Sequence, residues 1–179
     1  MNEMLSDFSC PLNPSIEQFL HINSIEFAKR GISVTYIVTT IQNDNLKILG
    51  FFTLANKIIE LNRGQISRRT ERLVQRFGEL NTTTNTYSIS APLIAQFGKN
   101  FSNGLDLLIS GKELMSLALE QVQAVQKLIG GRAVYLECED NEKLFSFYTD
   151  LGYTEFDRRY TKDDTETPYY HQMMKFLKS

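Results

Sequence analysis

The middle of the chain constrains the fold more than any other part. Residues 87–97 (YSISAPLIAQF) are mostly apolar or β-branched and predict a strand. Across Gly111–Ile129, apolar residues recur at helical spacing, which predicts an amphipathic helix that stops at Gly130. Residues 133–138 (AVYLEC) predict a short buried strand. These three elements form a βαβ unit, and a ligand is expected at the carboxyl end of its first strand, facing the helix N-terminus.

Further strands and helices flank this unit. The predicted elements are a helix at 15–30, strands at 33–41 and 48–61 around a turn at 42–45, a short basic helix within 62–81, a helix at 140–151, and strands at 153–156 and 169–176 joined by a charged turn at 162–167. Because Pro92 removes a backbone donor, its strand is predicted to bulge there or to lie at a sheet edge. The order of elements predicts a mixed α/β (α+β) sheet with helices on its faces.

Length and composition predict one domain over residues 1–179. The chain has 42% hydrophobic residues and a net charge of −2, so it has no overall basic field that would attract nucleic acid. Cys10 and Cys138 lie far apart and in no metal-ligand spacing, so we expect two reduced thiols and no metal. The first residues lack a signal-peptide pattern, and no apolar run is long enough to span a bilayer. We therefore expect a cytoplasmic protein with no membrane partner.

A family resemblance enters in the last third of the chain. The run VYLECEDNEKLFSFYTDLGYTEF, residues 134–156, resembles the late strand, helix and strand of GNAT N-acetyltransferases. The matching positions are Asn141, the pair Phe147-Tyr148, and the pair Gly152-Tyr153. Residues 50–54 (GFFTL) also resemble the early hairpin of that family, so the resemblance covers roughly residues 15–177. It implies a GNAT fold, with a mixed and mostly antiparallel sheet, and acetyl-CoA as the co-substrate.

The phosphate-binding loop departs from the family pattern. That loop usually reads Arg/Gln-x-x-Gly-x-Gly/Ala, whereas Asp106, Ile109 and Gly111 stand at those places here. Backbone amides at a helix N-terminus can still hold a diphosphate without those side chains. The resemblance therefore predicts cofactor contacts from Phe97, Lys99, Ile109, Ser110, Gly111, Lys112 and Asn141. The alternative is a catalytically silent module that has kept the fold, lost the cofactor and binds a partner protein.

The resemblance also assigns the chemistry of acetyl transfer. It makes Tyr148 the general acid that protonates the departing thiolate, since a phenol stays protonated at neutral pH. The alternative is a core aromatic residue on the same helix face as Leu144 and Leu151. Glu137 is our candidate for the general base, with Glu139 as the second choice, although carboxylates at a strand end are more often solvated or capping groups. Asn141 could equally begin the following helix.

The acceptor is predicted from a basic segment. Between residues 62 and 81, five arginines stand against only Glu71 and Glu79, and we assign substrate binding to Arg68, Arg69 and Arg72. Residues 88–100 and 30–38 are similar to GNAT toxins that acetylate the amino group of aminoacyl-tRNA. The acceptor is therefore a primary amine of a small molecule or a protein, or alternatively aminoacyl-tRNA. The alternative for the arginines is a solvated helix face, and a homodimer is a further expectation.

Overall fold

The structure is a computed structural model, and it describes residues 5–161 and 168–177. The predicted charged turn at 162–167 lies outside the described residues. The chain divides into two compact units. One unit comprises the described residues up to Ala55 together with Ile94–Ala124, and the other comprises Asn56–Leu93 and the described residues from Val125 onward.

Seven described strands form one sheet in the order β1-β2-β4-β5-β7-β6, with β3 paired to β4. The strands are β1 Val34–Gln42, β2 Asn45–Asn62, β3 Glu79–Asn81, β4 Thr86–Lys99, β5 Ala133–Glu139, β6 Thr154–Tyr160 and β7 Tyr169–Phe176. The pairs β1–β2, β3–β4, β5–β7 and β6–β7 are antiparallel. The predicted mixed, mostly antiparallel sheet flanked by helices is therefore confirmed.

The helices accompany this sheet. They are α1 Pro14–Gln18, a π-helical turn Phe19–Asn23, α2 Ser24–Lys29, α3 Arg68–Val74, a 3₁₀ segment Ser102–Leu107, α4 Gly111–Ile129 and α5 Glu142–Asp150. Asn13 begins α1 by accepting hydrogen bonds from the Ser15 and Ile16 amides. No helix in the described ranges is long and apolar enough to cross a membrane.

In the first unit, a tight hairpin joins β1 to β2. Asn43 and Asp44 both have positive φ, 50° and 59°, which suits the two-residue turns that match strand twist. A core cluster of Leu5, Phe8, Cys10, Leu20, Ile48 and Phe51 forms beneath this hairpin. The fully buried side chain of Asn100 follows β4, accepting from the Ser9 and Ser102 amides and donating to the Ile48 carbonyl. This amide ties the end of β4 to β2 and to the N-terminal segment.

In the second unit, α3 covers one face of β5 and β7. Val74 of α3 is fully buried in a cluster with Ile89, Tyr135 and Met174. The short basic helix predicted within residues 62–81 is present as α3. The strand β3 that follows it was not predicted, because three residues show no reliable hydrophobic periodicity. Pro92 does not lie at an edge, because β4 pairs with β2 on one side and β5 on the other.

Candidate functional site

The N-terminus of α4 is closed by a reciprocal pair of hydrogen bonds. The Ser110 amide donates to Oε2 of Glu113 at 2.7 Å, and the Glu113 amide donates to Oγ of Ser110 at 3.1 Å. This arrangement is a capping box, in which the two side chains satisfy two of the helix-start donors. The hydrogen bond from the Ser110 amide holds the pKa of the Glu113 carboxyl below its ordinary value. An ionised carboxylate therefore sits where the resemblance predicts a diphosphate.

Two further amides at this helix start are open to a ligand. The backbone amides of Gly111 and Lys112 make no hydrogen bond within the described part of the chain. Ile109 is buried, whereas Lys112 is exposed. Nζ of Lys99 donates to the Asp106 carbonyl at 2.6 Å and its charge is felt by Glu113. The open amides and the two lysines fit a diphosphate, provided that the Glu113 carboxylate gives up its hydrogen bond with the Ser110 amide.

Close packing surrounds the end of β4 next to this loop. A Cβ on Gly98 would lie 2.5 Å from Cγ2 of Ile16, so this position admits no side chain without movement. Its backbone is not in the left-handed region, and space alone requires the glycine here. Phe97, the preceding predicted cofactor residue, is half-buried. The strand end is therefore fixed against α1.

Tyr148 lies on α5, inside the second unit. Its side chain is 7% exposed, and its ring makes edge contacts with Phe147 and Tyr153 at centroid distances of 5.1 and 6.0 Å. Burial raises the pKa of the Tyr148 phenol, and the neighbouring Cys138 and Glu139 raise it further. The hydroxyl therefore keeps its proton across the physiological pH range and has that proton to donate.

Asn141 begins the helix that carries Tyr148. Its Oδ1 accepts hydrogen bonds from the Lys143 and Leu144 amides at 3.0 and 3.2 Å. The residue is exposed and has the extended backbone of an N-cap. Helix initiation thus occupies the side-chain oxygen, and the side-chain NH₂ group is what remains for a ligand.

Glu137 points away from the face that bears Cys138, because side chains alternate along β5. Its carboxylate accepts from Nε of Arg159 at 2.8 Å and from Nε2 of Gln172 at 2.8 Å. The structure therefore engages Glu137 in a cross-strand ion pair and does not bring it beside Tyr148. Glu139, at the end of the same strand, is close enough for its negative charge to raise the pKa of Tyr148.

A polar cluster around His171 was not predicted from the sequence, where this histidine stands isolated. The ring is 6% exposed, with Nδ1 at 2.8 Å from Oε1 of Glu155 and Nε2 at 3.2 Å from Oδ1 of Asp140. The Phe145 ring of α5 lies 4.7 Å away, centroid to centroid. Strand register creates this cluster, since His171 pairs with Cys138 on one side and Arg158 on the other. No local motif would have identified it.

The basic segment forms an exposed arginine groove on α3. A solvent-open depression of about 320 Å³ is lined by Arg68, Arg69, Arg72, Leu73 and Arg76. All four arginines are exposed, and none forms a salt bridge with a described residue. Arg63, just before the helix, differs because it pairs with Glu71 at 2.6 Å. The three predicted substrate residues thus share one surface.

The described residues contain no group of three or more His, Cys, Asp or Glu side chains placed to hold a metal ion. No protein-family model and no curated protein matches the chain.

Solved structures match the fold across nearly the whole chain. AtaT complexed with acetyl-methionyl-tRNAfMet aligns with a TM-score of 0.66 at 16% identity, over 93% of this chain and 85% of that chain. AtaTR bound with AcCoA gives 0.61 at 16% identity, over 94% and 86%. A tyrosine-to-phenylalanine variant of KacT gives 0.63 at 16% identity, over 94% and 86%. The chain therefore shares the fold of AtaT and KacT, and its sheet and helices agree with the GNAT fold that the sequence resemblance predicts.

Proposed function

We propose that this chain is an acetyl-CoA-dependent N-acetyltransferase in which Tyr148 is the general acid. The observation that carries the proposal is the buried position of Tyr148 on α5, beside Phe147 and Tyr153, where its phenol keeps its proton at neutral pH. A protonated phenol can donate that proton to a departing thiolate. Tyr148 also stands at the matching position of the Phe-Tyr pair in the resembled family.

Different residues of this chain have different roles in the reaction. Acetyl-CoA supplies an acetyl thioester, whose carbonyl carbon takes the acceptor nitrogen and whose sulfur leaves. Tyr148 donates its proton to that sulfur and recovers one from solvent. The acceptor amine passes its proton through water to Glu139, the second candidate base, whose charge reaches Tyr148, whereas Glu137 is held by Arg159 and Gln172. The backbone amides of Gly111 and Lys112 would hold the diphosphate, and β4 near Phe97 would provide backbone amides for the thioester oxygen.

The arginine groove favours a polyanionic acceptor. Four exposed arginines can contact phosphate oxygens in pairs, and no ion pair with a described carboxylate has to be broken first. AtaT, which shares this fold, has been captured with acetyl-methionyl-tRNAfMet. These two facts support the amino group of aminoacyl-tRNA as the acceptor. A small-molecule or protein amine is the alternative. The cytoplasm is our proposed location for the reaction.

A function of another class is supported by the capping box. If the Glu113 carboxylate held the Ser110 amide permanently, the chain would be a GNAT-fold binding module that engages a partner protein without catalysis. Binding of acetyl-CoA distinguishes the two functions. The enzyme must bind acetyl-CoA and be stabilised by it, whereas the silent module does neither.

The deciding experiment is calorimetric titration with acetyl-CoA of the wild-type chain and of Tyr148→Phe. We expect micromolar binding by both and turnover of an amine acceptor about 10²- to 10⁴-fold slower in Tyr148→Phe. Tyr153→Phe is the matched control, because Tyr153 lies in the same aromatic cluster and its turnover should stay within a few-fold of wild type. An absence of binding in the wild-type chain would refute the enzyme and favour the binding module.

A further inference from the structure

At the start of α4, the Glu113 carboxylate accepts a hydrogen bond from the Ser110 amide, which a bound diphosphate would also use. We propose that Glu113 limits the affinity for acetyl-CoA, because the cofactor's diphosphate must displace the Glu113 carboxylate from the Ser110 amide. The proposal rests on the proposed function, since it concerns regulation of the same cofactor site. It would make Glu113 a specificity-determining residue for diphosphate-bearing ligands.

Two facts about the capping box support direct competition. The carboxylate oxygen is 2.7 Å from the Ser110 nitrogen, so it occupies a donor that an incoming phosphate oxygen would need. Both groups are negative and both are attracted by the same helix end, so they cannot share it without repulsion. The Glu113 side chain is exposed, so water can hydrate the carboxylate once it leaves the Ser110 amide.

Positive charge near this helix start is limited. Lys99 already donates to the Asp106 carbonyl at 2.6 Å, which leaves exposed Lys112 as the uncommitted cation among the residues of the loop that the structure describes. One carboxylate therefore cancels much of the local field that would attract a diphosphate. Removal of the Glu113 carboxylate should therefore change the affinity of this site for a diphosphate strongly.

The test separates charge from capping. Glu113→Gln keeps an oxygen that can accept from the Ser110 amide but removes the negative charge. We expect its Kd for acetyl-CoA to fall roughly 3- to 10-fold, the size of a single charge effect at a helix terminus. Acetyl-pantetheine, which lacks the diphosphate, should bind Glu113→Gln and wild type equally. Glu120→Gln, an exposed charge further along α4, should leave the acetyl-CoA affinity unchanged.

Each outcome decides the proposal. Tighter binding of acetyl-CoA by Glu113→Gln, without a change for acetyl-pantetheine, supports it. An unchanged or weaker affinity for acetyl-CoA would overturn it while leaving the enzyme intact, provided that the wild-type chain binds. If neither wild type nor Glu113→Gln binds acetyl-CoA, both this inference and the proposed function fail. Melting temperatures of the apo proteins show that each variant is folded.

Discussion

The imidazole of His171 on β7 lies 2.8 Å from the carboxylate of Glu155 on β6. Its other ring nitrogen faces Asp140, at the junction of β5 and α5, at 3.2 Å. Each ring nitrogen of this buried histidine thus lies within hydrogen-bond distance of a carboxylate oxygen. The Phe145 ring packs on the same imidazole, which links the cluster to the helix of Tyr148.

Replacing this histidine should therefore destabilise the protein. We expect His171→Ala to lower the free energy of unfolding by about 1–3 kcal/mol, because it removes a buried side chain with its two hydrogen bonds and its contact with Phe145. Urea denaturation followed by circular dichroism measures the change. His21→Ala, at an exposed histidine, should shift stability by less than about 0.5 kcal/mol. Equal effects of the two substitutions would contradict a structural role for the cluster.

The same cluster should make the fold sensitive to acid. Hydrogen bonds from Tyr169 and His171 lower the pKa of Asp140. Burial opposes ionisation of Glu155, but its hydrogen bonds to Arg158 and His171 outweigh burial and lower its pKa. A lowered folded-state pKa stabilises the fold above the unfolded value, about 4 for these groups, and that stability is lost as the pH falls through the folded-state pKa.

Unfolding midpoints measured between about pH 6 and pH 3 test this expectation. Stability of the wild type should fall steadily over the lower part of that range. The double variant Asp140→Asn with Glu155→Gln should start less stable and show a shallower fall. An identical pH dependence in the two proteins would show that other carboxylates govern acid unfolding.

Reversing charge in the arginine groove should weaken RNA binding. For Arg68→Glu with Arg69→Glu, we expect the affinity for aminoacylated tRNA to fall on the order of 10- to 100-fold, with a smaller salt dependence, because fewer phosphates are neutralised. The control is Lys29→Glu with Arg30→Glu, an exposed pair at the end of α2 that changes the net charge equally. Filter binding at two salt concentrations measures both. If the two pairs weaken binding equally, only net charge matters and the groove has no special role.

The contact between Gly98 and Ile16 predicts a coupled pair of substitutions. Gly98→Ala would place its Cβ 2.5 Å from a branched methyl group of Ile16, so we expect a loss of about 1–3 kcal/mol in unfolding free energy. Ile16→Ala removes that methyl group, so the double variant should be more stable than the sum of the two single changes. Thermal melts of the four proteins measure the coupling. Simple additivity would show that β4 moves to accept the new side chain.

Several elements could be predicted from the sequence because their signals are local. The helix at Gly111–Ile129 and the turn at Asn43-Asp44 follow from the spacing of apolar residues and from turn chemistry. The Ser110-Gly111-Lys112-Glu113 capping box also has a local signature and could have been found in the same way. Short β3 could not, because three residues show no reliable periodicity.

By itself, the sequence determined the order of the strands and helices other than β3, the GNAT resemblance and the clustering of arginines, since each depends on residues a few positions apart. Only the tertiary structure decided that His171 meets Asp140 and Glu155, and that Glu137 pairs with Arg159. The partners in these contacts are 16 to 31 residues apart. They meet because strand register brings them together, and register is set by the packing of the whole sheet.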